Sequence, residues 1–240
     1  MHRFCSPFSL HFGLLGLALL LSSMVNRAEA QYGEYAYEKK RVESPEWVAW
    51  ELKVGLYRPD VGNEAFEDIF GGDRGPLLMT EIDVWLWRIP YVGLIGPGLT
   101  FGWAGYSESA LDASSGSRVS EDVSFNIFPF ALLGILRIDV LARELGVPLV
   151  LSGKIGLDVV PWRSSKGGST EGDGVSLGLR WAAQLAFELD IINPQGARTL
   201  DDEWGINHTY LFFELLGSTA DTSFPVGDKL AWVAGLGFTF

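Results

Sequence analysis

Val175-Ser176-Leu177-Gly178-Leu179-Arg180-Trp181-Ala182-Ala183-Gln184-Leu185-Ala186-Phe187-Glu188-Leu189-Asp190-Ile191 alternates without an error. Every odd position is apolar, from Val175 through Trp181 to Ile191, while the even positions carry Ser176, Arg180, Gln184, Glu188 and Asp190 with small residues between them. A helix, at about 3.6 residues per turn, would smear these two sets around its circumference, whereas a strand sends them to opposite faces. The run is also long. Strands of soluble proteins usually hold about five or six residues, and about ten, tilted, are needed to cross a hydrocarbon layer.

The same alternation recurs along the chain, with turn-rich segments between. Segment 47–57 sets Val48, Trp50, Leu52, Val54 and Leu56 against Glu51, Lys53 and Gly55. Segment 80–89 sets Ile82, Val84 and Leu86 against Glu81 and Asp83, but Trp85 and Trp87 fall on the polar face, which predicts a bulge or an interfacial position. Segment 98–107 sets Leu99, Phe101 and Trp103 against Thr100, Gly102 and Ala104, and 122–138 is mostly apolar on both faces around Pro129. Segment 148–162 sets Leu149, Leu151, Ile155, Leu157 and Val159 against Val150, Ser152, Lys154, Gly156 and Asp158. After 175–191 come 207–217, with Leu211, Phe213 and Leu215 against Tyr210, Phe212 and Glu214, and 230–240. Eight such segments predict an all-β fold, an eight-stranded antiparallel transmembrane up-and-down β-barrel. A soluble lipocalin-like barrel is the architectural rival, and it needs a polar exterior that these faces lack.

The N-terminus fits export. Met1-His2-Arg3, an apolar core over 12–21 and Ala28-Glu29-Ala30 read as a signal peptide cleaved after Ala30, its core too short to span a bilayer. This divides the chain into a signal peptide over 1–30, a polar extension over 31–46 and the barrel over 47–240, with the bacterial outer membrane as the expected location. The single cysteine, Cys5, lies in the segment to be removed, so neither a disulfide nor a lipid-bearing cysteine at the cleavage point is expected.

Losing the leader changes the formal charge from −12 to −13, which makes nucleic acid a poor partner. The best candidate for an apolar helix, 125–151, is interrupted by Arg137, Asp139, Arg143 and Glu144, which excludes a helical span. At the other end the chain finishes on Leu236-Gly237-Phe238-Thr239-Phe240. With Trp232, the outward residues Leu236, Phe238 and Phe240 resemble the C-terminal signature by which barrel-assembly machinery recognises outer-membrane barrels. That machinery and outer-membrane lipid are therefore expected partners; oligomeric state is not encoded.

An even strand count puts both ends on the periplasmic side. Loops 58–79, 108–121, 163–174 and 218–229 are then extracellular, where a ligand could meet them, and 90–97, 139–147 and 192–206 are periplasmic. The last is long for a periplasmic turn and has room for a helical turn. Aromatics near strand ends, namely Trp47, Tyr57, Tyr91, Tyr106, Trp162, Trp232, Phe238 and Phe240, read as interfacial girdles. The runs Leu136-Arg137-Ile138-Asp139, Leu145-Gly146-Val147-Pro148 and Glu203-Trp204-Gly205-Ile206-Asn207-His208-Thr209-Tyr210 through Glu214 resemble a family of small outer-membrane β-barrel proteins of the myxobacterial type. That family is defined by architecture, so the resemblance implies a fold and no activity.

Chemistry could reside on the inward face. Its expected polar lumen network is Glu51, Lys53, Glu81, Asp83, Lys154, Asp158, Arg180, Gln184, Glu188 and Glu214, with Asn126 and Tyr210 also inward. If the fifth and sixth strands pair around loop 164–173, Asp158 faces Arg180 and Lys154 faces Gln184. An eight-stranded barrel has just enough interior for side chains, so the simplest outcome is a filled, structural barrel whose loops bind. Two alternatives stand beside it. An inward excess of acids would suit a narrow cation-preferring pore. A lipid-modifying enzyme would draw on His208, Tyr210 and Glu214, although a nucleophile is missing and His208 fits a hydrogen-bonded strand end. The spacing of His, Cys and acids points to no metal site, and no cofactor or catalytic set is expected.

Overall fold

A computed structural model describes residues 45–60, 74–111 and 118–240. The expected signal peptide over 1–30, most of the expected extension 31–46 and parts of the expected loops 58–79 and 108–121 lie outside the described residues. In chain order the elements are β1 (Val48–Tyr57), β2 (Gly75–Val84), β3 (Trp87–Ile89), β4 (Gly93–Leu111), β5 (Arg118–Ile127), β6 (Phe130–Ile138), α1 (Val140–Glu144), β7 (Leu149–Lys166), β8 (Ser169–Glu188), α2 (Pro194–Trp204), β9 (His208–Ser218) and β10 (Ala231–Thr239).

All pairings are antiparallel and the sheet closes on itself. β1 pairs β2, β2 pairs β4, β4 pairs both β5 and β6, both pair β7, and β7 through β10 follow in order until β10 returns to β1 from Thr239↔Ala49 to Trp232↔Leu56. β5 and β6 are one wall strand broken at Phe128-Pro129, since the register to β4 is unchanged across the break (Ala104↔Ile127, Phe101↔Phe130). Proline cannot donate to the ladder, but the Pro129 carbonyl still accepts from Gly102 N at 2.8 Å. β3 continues β2 after one extra residue: Asp83 pairs Gly98, whereas Trp87 pairs Ile95. This is the predicted bulge, and it leaves Trp85 inward while Leu86 and Trp87 both face out. The fold is an eight-stranded antiparallel β-barrel, and closure removes the free edges that an open sheet would expose.

Sidedness follows the sequence period. On β8 Leu177, Leu179, Trp181, Leu185 and Phe187 are exposed, and Ser176, Arg180, Ala182, Gln184, Ala186 and Glu188 are buried. Leu179 keeps 55% of its surface and its neighbour Arg180 keeps 2%. The same apolar exterior runs round the wall through Leu52, Leu78, Leu99, Leu132, Leu157 and Phe213.

Three expectations need correction. The β7–β8 strands continue to a two-residue turn at Gly167-Gly168, both at positive φ (55° and 83°), in place of a ten-residue loop. The register therefore slips by two: Asp158 lies opposite Gly178, and Lys154 opposite Ala182. Asn126 faces out and accepts from Trp103 Nε1 at 3.1 Å, because Phe125 and Ile127 hold the inward parity of β5. Of the aromatics expected in girdles, Tyr57 and Tyr106 are buried inside the barrel, having the parity of Lys53 and Thr100, and Trp162 turns in to pack on Phe125 and Phe224. Trp47, Tyr91 and Trp232 do lie exposed on the outside.

Candidate functional site

The interior is filled at three levels. At the loop end an apolar layer of Tyr57, Leu77, Met79, Tyr106, Phe125 and Leu216 is closed by the β9–β10 connection, which folds inward and buries Ala220 and Val226 completely. Hydrogen bonds hold that connection down. Tyr57 Oη donates to Val226 O, Ser176 Oγ donates to Phe224 O at 2.6 Å, and Arg58 N donates to Asp228 Oδ2 at 2.9 Å. Just beneath, Arg180 Nη2 lies 3.0 Å from Asp158 Oδ1, and Ser218 Oγ donates to the same carboxylate.

The middle level is ionic. Lys53 Nζ reaches Glu214 and Glu81 at 2.9 Å and Glu51 at 3.2 Å. Lys154 Nζ reaches Glu214 at 2.8 Å and Glu51 at 3.0 Å, with a further short contact to Glu81. Gln184 Nε2 and Tyr210 Oη both donate to Glu51 Oε1 at 2.9 Å, and Thr100 Oγ1 donates to Glu81. Asp83 is buried beside this set. β1, β2, β7, β8 and β9 each contribute, so the network ties opposite walls together across the lumen. An isolated charge in this setting would be costly, which is why each ammonium is surrounded by carboxylates.

The floor was largely missed from sequence. Arg137, buried, stacks 4.8 Å from the Tyr210 ring centroid and lies 4.0 Å from Glu188. Its segment is apolar on both faces, so polarity was silent there; the parity of Leu133 and Ile135 would have placed it inward. Glu46, expected in the extension, belongs to the floor: Arg143 Nη2 donates to it at 2.9 Å and His208 Nε2 lies 3.4 Å away. Burial opposes ionisation of Glu46, but the neighbouring His208 and the guanidinium charges of Arg143 and Arg137 outweigh it and hold the carboxyl well below the usual carboxylate range. His208 Nδ1 pairs with Asp190, and Arg88 donates to Asp139 at 2.9 Å.

All ten expected network residues are buried and inward, nine of them in the upper and middle levels or beside them, and Glu188 on the floor. Of the three residues weighed for lipid chemistry, Tyr210 and Glu214 share the middle-level network, whereas His208 lies on the floor. His208 bonds Asp190, Tyr210 bonds Glu51, and Glu214 bonds Lys53, each buried inside the barrel. Two trios, Glu51-Glu81-Asp83 and Glu188-Asp190-His208, bring potential ligand atoms within 4.8 Å of one another. Protein cations already contact members of both, Lys53 and Lys154 in the first and Arg143 at Glu188 in the second.

The C-terminal strand packs as a wall element. Phe238 stacks on Trp50 with centroids 5.9 Å apart, Trp232 stacks on Phe213 at 6.1 Å, and Phe240 O accepts from Trp47 N and Val48 N. Inward Gly237 lies opposite Tyr210, where a Cβ would collide with the tyrosine ring.

No family model and no curated protein sequence matches the chain. Among solved structures it is similar to Ail, the attachment invasion locus protein of Yersinia pestis, in complex with the heparin analogue sucrose octasulfate (14% identity, 81% of this chain and 97% of that chain, TM-score 0.41). It is also similar to Neisserial surface protein A (10%, 82% and 98%, 0.43) and to the N-terminal β-barrel domain of Pseudomonas aeruginosa OprF (15%, 82% and 100%, 0.42).

Proposed function

We propose that the chain is an outer-membrane β-barrel that does not conduct and that acts through its loop end, as a structural or binding protein. The observation that carries this reading is the pairing of an apolar exterior with a lumen obstructed at three levels. The exterior supports lipid as the surrounding solvent, because a water-facing wall would alternate the other way. The obstruction supports a non-conducting core: the Lys53-Lys154 network spans the barrel between an aromatic layer and an arginine-stacked floor.

Binding is supported by length. β4, β7 and β8 hold 19, 18 and 20 residues, against about ten needed to cross the hydrocarbon. Their surplus lies at the loop end, where the β7–β8 ribbon presents Arg163, Ser165, Lys166, Thr170, Glu171 and Asp173. Planar-bilayer recording of the refolded protein tests the proposal. It predicts no discrete conductance steps; reproducible cation-selective steps would refute it and favour the narrow pore.

A further inference from the structure

α2 is a completed helix with no fully buried residue among the described residues. Its N-cap Asn193 accepts from Gly196 N at 3.0 Å, Pro194 opens it, and Gly205 at φ 68° closes it with its N–H bonded to Asp201 O and Leu200 O. Short helices in water are marginal without tertiary packing of an apolar face, yet no residue of α2 is buried. At about 100° per residue, Ala197, Leu200 and Trp204 share one flank, while Arg198, Thr199, Asp202 and Glu203 lie on the other sides. Trp204 is 71% exposed.

The exposed Leu200–Trp204 flank does not stand alone. The antiparallel order puts α2 at the same barrel end as Trp47, Leu86, Trp87, Tyr91, Leu145 and Ile192, all exposed. These residues continue the apolar exterior of the wall to its rim, at the barrel end that carries the α2 flank.

We infer that α2 is a membrane-surface helix, its Leu200–Trp204 flank seated in the lipid of the inner leaflet at the rim of the barrel and its Thr199–Glu203 side in water. The inference rests on the membrane reading above. The helix carries Asp201, Asp202 and Glu203 against one basic residue, Arg198, so its attachment is apolar and owes nothing to anionic headgroups. Apolar faces of such helices sit about 5–10 Å into the headgroup and acyl boundary. The arrangement turns a long connection into a collar that fixes the β8 and β9 ends at the interface.

The test uses spin labels on single cysteines in a full chain carrying Cys5→Ser and refolded into phosphatidylcholine vesicles. Labels go on Leu200→Cys and Trp204→Cys, on Thr199→Cys and Glu203→Cys, and on Leu179→Cys in the wall. Labels at 200 and 204 should meet dissolved oxygen several-fold more often than a water-soluble nickel chelate, at a shallower depth than 179, with the order reversed at 199 and 203. Adding phosphatidylglycerol should leave this pattern unchanged. Equal, chelate-dominated access at all four helix positions, with 179 still in lipid, would overturn the inference and leave the barrel reading standing. Shielding of 200 and 204 from both reagents would also overturn it, by showing protein on that face. Chelate access at 179 would instead refute the membrane reading itself.

Discussion

Replacing Lys154 with methionine removes one of two ammonium groups from the middle of the lumen and keeps most of the volume. Lys154 holds Glu51 at 3.0 Å and Glu214 at 2.8 Å, and also contacts Glu81. After the change Lys53 alone faces those three glutamates, with Asp83 buried nearby. At an effective dielectric of about 20, one pair at 4 Å is worth about 4 kcal/mol. Three such attractions are lost, but the ammonium also no longer has to be desolvated, so the net lies near the ~3–5 kcal/mol typical of breaking a buried ion pair. Glu214→Gln removes an acid from a set with more acids than bases and should cost less than half as much. Urea unfolding in lipid vesicles, followed by tryptophan fluorescence, reads both. A loss under ~1 kcal/mol for Lys154→Met, the range of exposed pairs, would mean that the network is hydrated, and a filled lumen would be wrong.

Further expectations follow from the floor and the C-terminal strand. Gly237→Val should place its branched side chain against the Tyr210 ring and destabilise the barrel by about 1–3 kcal/mol in the same urea assay; a neutral effect would show that the ring has room to move. Glu46→Gln should lower stability by about 1–3 kcal/mol at neutral pH. Because the folded-state value of Glu46 is depressed, its charge stabilises fully above the ordinary value of 4.5 and progressively less as pH falls from there toward the folded value. The gap between Glu46→Gln and the parent should therefore narrow in acid, and a constant gap from pH 7 to pH 3 would remove the charge from the explanation.

Strand sidedness was legible because period-two alternation encodes it directly, and the inward Glu51, Lys154, Arg180 and Glu188 follow from parity alone. Register was not legible for the same reason: a two-residue slip leaves every side chain on its own face, so Asp158 could move from Arg180 to Gly178 without changing the pattern. The slip is decided by Gly167-Gly168, a turn signal hidden inside a serine- and glycine-rich stretch. Even so, Arg180 still reaches Asp158 on the diagonal. Tyr57 and Tyr106 were placed by nearness to strand ends when their parity already pointed inward. The floor pairs Glu46 with Arg143 and Asp190 with His208 across separate connections, and no local pattern reports such contacts. α2 had readable ends in Asn193-Pro194 and Gly205, though nothing in them says what its flank touches.

Cysteine reactivity along β8 tests the account most directly. In a Cys5→Ser chain refolded into vesicles, cysteines at outward Leu177, Leu179 and Leu185 and at inward Ser176, Ala182 and Ala186 are offered a membrane-dissolved maleimide and a water-soluble one. The outward three should react only with the membrane-dissolved reagent, and the inward three with neither until the protein is unfolded by boiling. Reaction of Ala182→Cys or Ala186→Cys with the aqueous reagent in the folded barrel would contradict a filled lumen, and the same reaction at Leu179→Cys would contradict a lipid-facing wall.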